Sequence, residues 1–240
     1  MQRVFLRRLC STPSALGALE LQKAKRQLEA FQSKVCSKTR CRACWLPPRA
    51  CMCQYMSQRE VAALGVDVAI AIHYKEYGKM ANTAKLVRSV LPSSQLFVHP
   101  LDNEGVSGIL ARAESHPVVL WPGEGSVPAS EYRARAGVHG QHITLFALDG
   151  TWRQVKAMAR RYAALPRVHV SNELLGQGSA VPHLRREVRP TGASTAEAIA
   201  LALAALGEPQ CTEPILSAIR ELNARAASGA LGSPRHAKPT

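Results

Sequence analysis

The chain reads as an α/β protein built on a largely parallel sheet. Short β-branched runs alternate with helical patterns from about residue 65 onward, the order in which parallel strands and their crossover helices occur. Those runs are almost continuously apolar, as strands are when helices cover both faces. At 240 residues and 46% hydrophobic, the chain has material for one sizeable core and is no disordered polymer.

The elements follow in order. Residues 1–17 hold three arginines, several hydroxyl residues and no acid. That composition resembles an organellar transit peptide, mitochondrial or other. A basic tail on a cytoplasmic or nuclear protein is the alternative. Residues 18–35 read as a helix, with Leu21, Ala24, Leu28, Phe31 and Val35 forming one stripe at steps of three and four. Lys23, Lys25, Arg26 and Lys34 lie off it. Such a basic amphipathic helix can lie on a membrane, but packing on the core is the simpler expectation. No stretch approaches 18 uncharged apolar residues, so no transmembrane helix is expected.

Strands are expected at 66–72, 95–99, 117–121, 142–148 and 167–171. Helices are expected at 81–91, 106–114, 151–165, 194–206 and 212–227. Residues 228–240 are rich in Gly, Ser, Pro and Lys and read as a disordered tail. The resulting division is 1–17 as leader or tail, 18–60 as a helix plus Cys-rich module, 61–227 as the α/β domain, and 228–240 as the tail.

Between the first helix and the first strand stands Cys41-x2-Cys44-x6-Cys51-x-Cys53. Tetrahedral zinc takes four thiolates, and cysteine pairs on tight turns are the usual way to present them. Pro47 and Pro48 stiffen the loop between the pairs. Two disulfides or an iron–sulfur cluster are the other readings; a large α/β core is not the small secreted scaffold that disulfides serve. Four protein ligands make the site structural, with Cys36 as a spare ligand.

The chain carries 31 Lys+Arg against 17 Asp+Glu, a net charge of +14. Residues 1–50 alone hold eleven basic residues and two acids. This balance favours nucleic acid or an anionic membrane surface, and charge alone does not choose.

In an open α/β sheet, ligands bind at the carboxyl ends of the strands. The strand 142–148 runs into Asp149-Gly150-Thr151-Trp152 at such an end. Asp149 or Thr151 can cap the helix that follows, but capping leaves Trp152 unexplained. That helix carries Arg153, Lys156, Arg160 and Arg161 with no acid, a plausible phosphate-backbone face. The strand 117–121 ends in Leu120-Trp121-Pro122-Gly123, another sharp turn. A third loop, 189–197, approaches past Arg185 and Arg186 and opens a helix through Thr191, Ser194, Thr195 and Glu197. Ser194 and Glu197 have capping-box spacing. The first strand ends in His73-Tyr74-Lys75-Glu76, followed by Asn82-Thr83.

Taken together, Cys-x2-Cys-x2-Pro-x3-Cys-x-Cys, then His73-x2-Glu76, Asn82-Thr83, Asp149-Gly150-Thr151-Trp152 and Ser194-Thr195-x-Glu197-Ala198 resemble the DTW-domain proteins over residues 36–206. Two positions depart from the family pattern: Tyr74 follows His73 where proline is usual, and Trp121 stands where phenylalanine is common. Neither change removes an ionisable group.

The resemblance implies a tRNA-uridine aminocarboxypropyltransferase related to the SPOUT RNA methyltransferases. It implies a parallel sheet with a deep C-terminal knot, a rare exception to unknotted topology. S-adenosylmethionine (SAM) is then the donor and 3-(3-amino-3-carboxypropyl)uridine in tRNA the product. By similarity, Leu120, Pro122, Leu148, Gly150, Thr151, Thr191, Ser194, Thr195 and Glu197 line the knotted SAM pocket. Chemistry adds roles of its own. Asp149 is the acid at the strand end that can orient or deprotonate uridine N3–H. Trp152 is the candidate for stacking an unpaired base. Arg153, Arg185 and Arg186 can bind either the donor carboxylate or RNA phosphate. Two rival functions remain: a SPOUT-type RNA methyltransferase using the same donor, and a non-enzymatic zinc-dependent RNA-binding module.

Overall fold

Parallel strands need long crossover connections, and the helices that make them here cover both faces of one sheet. The computed structural model describes residues 15–171 and 193–231. Expectations for residues 1–14, Arg185, Arg186, Thr191 and most of the C-terminal tail therefore lie outside the described residues, as does much of the expected knot.

Helix α1 spans Ala15–Cys36 and is followed by the cysteine loops and a short helix α2, Cys53–Ser57. The sheet elements then alternate: β1 Val66–His73, α3 Ala84–Val90, β2 Gln95–His99, α4 Asn103–Leu110, β3 Ser115–Leu120. Next come β4 Ser126–Pro128, α5 Ala129–Ala136, β5 His142–Asp149, α6 Trp152–Ala159 and β6 Arg167–His169. Helices α7, Thr195–Ala205, and α8, Thr212–Ala227, complete the described chain. The six strands form one sheet in the order β2-β1-β5-β3-β6-β4, every pair parallel.

The strand side chains divide between two cores. Val66, Val68, Ile70, Ile143, Leu145 and Val118 pack beneath α3, α7 and α8 with Cys44, Leu46 and Met52 of the cysteine module. Ala69, Ala71, Val119, Phe146 and Leu148 face the other way, under Val106 and Ile109 of α4 and Val155 and Met158 of α6. Pro117 is tolerated inside β3 because its missing N–H faces β6, which pairs with β3 only from Val119 onward.

Helix α1 packs on the protein. Ala24 and Phe31 are buried against Trp45, Ile72, Tyr74 and Val98, with Leu28 and Val35 at the margin. The apolar stripe is thus covered by the domain. No described helix is long and apolar enough to cross a membrane.

Several expectations shift. The helix expected at 151–165 ends at Ala159 and tightens into a 3-10 turn, Arg160–Tyr162, that buries Tyr162. The helix expected at 106–114 starts earlier, because Asp102 accepts Val106 N–H on its carbonyl and Val98 N–H on its carboxylate. β3 begins and ends earlier than expected, so Trp121 lies beyond the strand. β4 and α5 had no counterpart among the expected elements.

Candidate active site at the carboxyl edge of the sheet

The parallel register lines up the strand ends. His73 lies opposite His99, Ile72 opposite Asp149, Leu120 opposite Ala147, and Val168 opposite Leu120. One edge of the sheet therefore carries His99, His73, Asp149, Leu120 with Trp121 beyond it, and His169.

Asp149 is fully buried. Asn82 Nδ2 donates to one carboxylate oxygen at 2.5 Å and Thr195 Oγ1 to the other at 2.5 Å. Asn82 comes from the loop before α3 and Thr195 from the first turn of α7, so Asp149 joins three elements. Thr83 Oγ1 strengthens the junction by accepting Ala196 N–H. Donors on both oxygens favour the charged carboxylate. Asp149 is not the cap of α6; that position belongs to Thr151, whose N–H donates to Gln154 Oε1 at 2.7 Å. The cap of α7 is the expected one. Ser194 N–H donates to Glu197 Oε2 at 3.2 Å and Glu197 N–H to Ser194 Oγ at 3.3 Å, and both residues are buried.

Gly150 makes the tight turn after Asp149. A Cβ there would lie 3.0 Å from Gln154 Oε1 and 3.3 Å from His73 Cβ, closer than side chains normally pack. Leu148 is buried in the second core, Leu120 is half-buried, and Pro122 and Thr151 are exposed.

Trp152 is 52% exposed, unusual for so large an apolar side chain. It stacks on Trp121 with ring centres 5.0 Å apart and planes 9° from parallel. Trp121, expected as the last residue of a strand, is half-buried and packs at the core's margin as the other half of an aromatic platform. Arg153, Lys156 and Arg160 are exposed beside this platform, and Arg161 is half-buried.

The histidines were the residues sequence reasoning undervalued. His73 stood in a recognised motif with no role, and His99 was passed over although it ends a strand. Their rings lie 6.3 Å apart. Burial, reinforced by His99 and Lys75, holds His73 down at about 4, and burial also lowers His99. His73 Nδ1 accepts Lys75 N–H at 3.2 Å, which leaves its other nitrogen as the N–H donor.

The cysteines form a second centre. The Sγ atoms of Cys41, Cys44, Cys51 and Cys53 all lie within 4.8 Å of one another, with Cys41 and Cys53 at 3.4 Å and Cys44 and Cys51 at 3.7 Å. Tetrahedral thiolates around zinc stand about 3.8 Å apart, so the donor set fits that ion. These separations are too long for disulfide bonds, and all four are free thiols. Trp45 adopts a left-handed backbone, φ 59°, to turn the first cysteine loop, whose ends join through Cys41 N–H to Leu46 C=O. Cys36 is exposed at the end of α1 and stands outside the cluster.

No solved structure matches the chain. A family model for the DTW domain matches residues 38–226, well over half the chain. That span takes in the cysteine centre and every described residue of the carboxyl edge. The chain belongs to the DTW-domain family, which is associated with tRNA modification.

Proposed function

We propose that this protein transfers the 3-amino-3-carboxypropyl group of SAM to N3 of an unpaired uridine in tRNA. The observation that carries the reading is the buried Asp149 carboxylate at the carboxyl edge, which leads directly into the exposed Trp152, stacked on Trp121, and a basic helix.

The chemistry asks for such an arrangement. Uridine N3 is a poor nucleophile until its imide proton leaves. In the transfer the N3–H bond breaks, N3 bonds to the side-chain γ-carbon of the donor, and the carbon–sulfonium bond breaks to release methylthioadenosine. The sulfonium is already an activated leaving group, so catalysis consists of proton removal, in-line placement and exclusion of water. Asp149 orients the imide and receives or relays its proton, with Asn82 and Thr195 fixing its two oxygens. The neutral His73, a hydrogen-bond donor at the neighbouring strand end, suits the anion that develops on the uracil oxygens. N3 sits on the pairing edge, so the target base must be unpaired, and Trp152 on Trp121 offers it a stacking surface.

Leu120, Pro122, Leu148, Gly150, Thr151, Thr191, Ser194, Thr195 and Glu197 are assigned to the donor pocket in a SPOUT-type knot. Arg153, Lys156, Arg160, Arg161, Arg185 and Arg186 are assigned to the RNA backbone, with one arginine available for the donor carboxylate. Zinc on Cys41, Cys44, Cys51 and Cys53 holds the amino-terminal module and takes no part in the transfer.

Nucleoside mass spectrometry of tRNA incubated with the protein and SAM tests the reading. The expected product is uridine carrying an aminocarboxypropyl group. A methyl adduct would instead identify a methyltransferase. Calorimetry showing no SAM binding would leave the RNA-binding module.

A further inference from the structure

Lys85 is 2% exposed, an uncommon place for an ammonium. It also stands in the first turn of α3, where the helix dipole favours an acid. Two neutral acceptors meet it: its Nζ donates to Met80 C=O at 2.6 Å and to Lys79 C=O at 3.5 Å. A buried cation normally has an anion as well. No acidic side chain pairs with Lys85 among the described residues. Its Nζ instead lies 5.5 Å from the ring centre of Trp45, the residue that follows Cys44. Lys85 and Cys53 line the same cleft between the cysteine module and α3. Burial presses the Lys85 ammonium down to about 7, a shift that Cys44 and Cys41 oppose and the nearby Arg40 adds to.

Four thiolates around a divalent zinc ion carry a net charge of −2. We propose that Lys85 is the buried counter-charge of the zinc-loaded cluster, and that through it the metal holds the loop which seats Asp149. The loop is gripped twice. The Lys85 ammonium binds the carbonyls of Lys79 and Met80, and its backbone N–H donates to Asn82 Oδ1 at 3.4 Å. Asn82 in turn donates to Asp149. Lys85 is thus a positioning residue, joined to the cysteine module across the Trp45 ring and to the carboxylate through Asn82. This inference rests on the cysteines being a zinc centre and on Asp149 marking the active edge, and it does not depend on which group is transferred.

The test compares Lys85→Met, which keeps the length and loses the charge, with Lys85→Arg, which keeps the charge. Partners beyond the metal ligands commonly change metal affinity 10- to 100-fold. Zinc release to a chromogenic chelator should accelerate by about that factor in Lys85→Met and stay within a few-fold of the parent in Lys85→Arg. Amide hydrogen exchange over residues 79–85 should accelerate in Lys85→Met alone. Equal zinc release from Lys85→Met and parent overturns the proposal. Should Lys85→Met not fold, the unaltered protein answers the question: chelation should raise exchange over 79–85 and leave 126–136 unchanged, whereas a uniform rise along the chain overturns the coupling. Both readouts are taken without SAM or tRNA, so they succeed or fail independently of the transfer reaction.

Discussion

Of the buried carboxylates, two stand at opposite ends of the sheet, Glu208 at the amino end and Asp149 at the carboxyl end. Glu208 is held by the main chain: its oxygens accept Leu64 N–H at 2.9 Å and Gly65 N–H at 2.5 Å, with Gln210 Nε2 at 2.6 Å. It fastens the entry to β1. Asp149 is held by the side chains of Asn82 and Thr195, and the tryptophan platform and the basic face of α6 stand nearby. Burial and hydrogen bonding are alike in the two, so neither property marks a catalytic acid. What differs is the setting. Backbone donors are part of the scaffold, whereas the side-chain donors on Asp149 come from the loop before α3 and the first turn of α7, which meet at the strand end where ligands bind.

Matched amide substitutions should break the pair apart. Asp149→Asn and Glu208→Gln each set an NH2 against an existing donor, and each should lose about 1–3 kcal/mol of stability. That corresponds to a fall in Tm of a few degrees for a chain of this size. Only Asp149→Asn should also lower transfer, by about 10²- to 10⁴-fold, with SAM binding retained in calorimetry. Equal activity in the two variants would reduce Asp149 to a second Glu208.

The tryptophan platform gives the next effect. Trp152 stands half in solvent, so Trp152→Ala should cost little stability. Stacking of an unpaired base contributes about 1–3 kcal/mol, so tRNA affinity should fall roughly 5- to 150-fold. The same truncation at Tyr162, buried edge-on against Phe146, should destabilise by about 3–5 kcal/mol. Filter binding and thermal melts separate the two outcomes.

The difference between the two ends also explains what was legible in the sequence. The core strands were readable because β1 and β5 are buried on both faces, and that burial writes itself as unbroken apolar runs. Asp149, Thr195 and the four cysteines were readable from motif order. Helix α5 was not: only Ala129 and Tyr132 of its residues are buried, so it has no apolar period to read. The pairing of Trp121 with Trp152 depends on β3 and β5 being neighbours, a fact of strand order that no local window contains. His99 gains its setting only through the register with His73. Lys85 looked like an ordinary helix lysine, because nothing local reveals that the cysteine module covers it.

Charge on α6 should act more weakly and more evenly. Arg153 and Lys156 are exposed beside the platform, whereas Arg112 pairs with Asp67 at the amino end. Each phosphate contact removed should lower the slope of log affinity against log salt by about one. Arg153→Ala and Lys156→Ala should therefore flatten the salt dependence of tRNA binding, and Arg112→Ala should leave it unchanged. Three identical slopes would move the RNA to another face.

The smallest expected effect concerns pH. His73 is neutral in the folded protein down to about 4, because burial opposes its charging, while in the unfolded chain it charges near 6.5. Between those values the unfolded state binds the extra proton, so the contribution of His73 is complete above pH 6.5 and is lost as pH falls toward 4. His73 is only half-buried, which reduces the effect to about 1 kcal/mol between pH 7 and pH 5. His99, lowered in the same direction, adds to it. Replacing His73 by Gln keeps an acceptor for Lys75 N–H and removes the titration. Denaturant unfolding at pH 7 and pH 5 should show the parent losing more stability than His73→Gln across that interval. Parallel losses in both proteins would mean that His73 is solvated like a surface histidine, and that the carboxyl edge is no drier than the amino end.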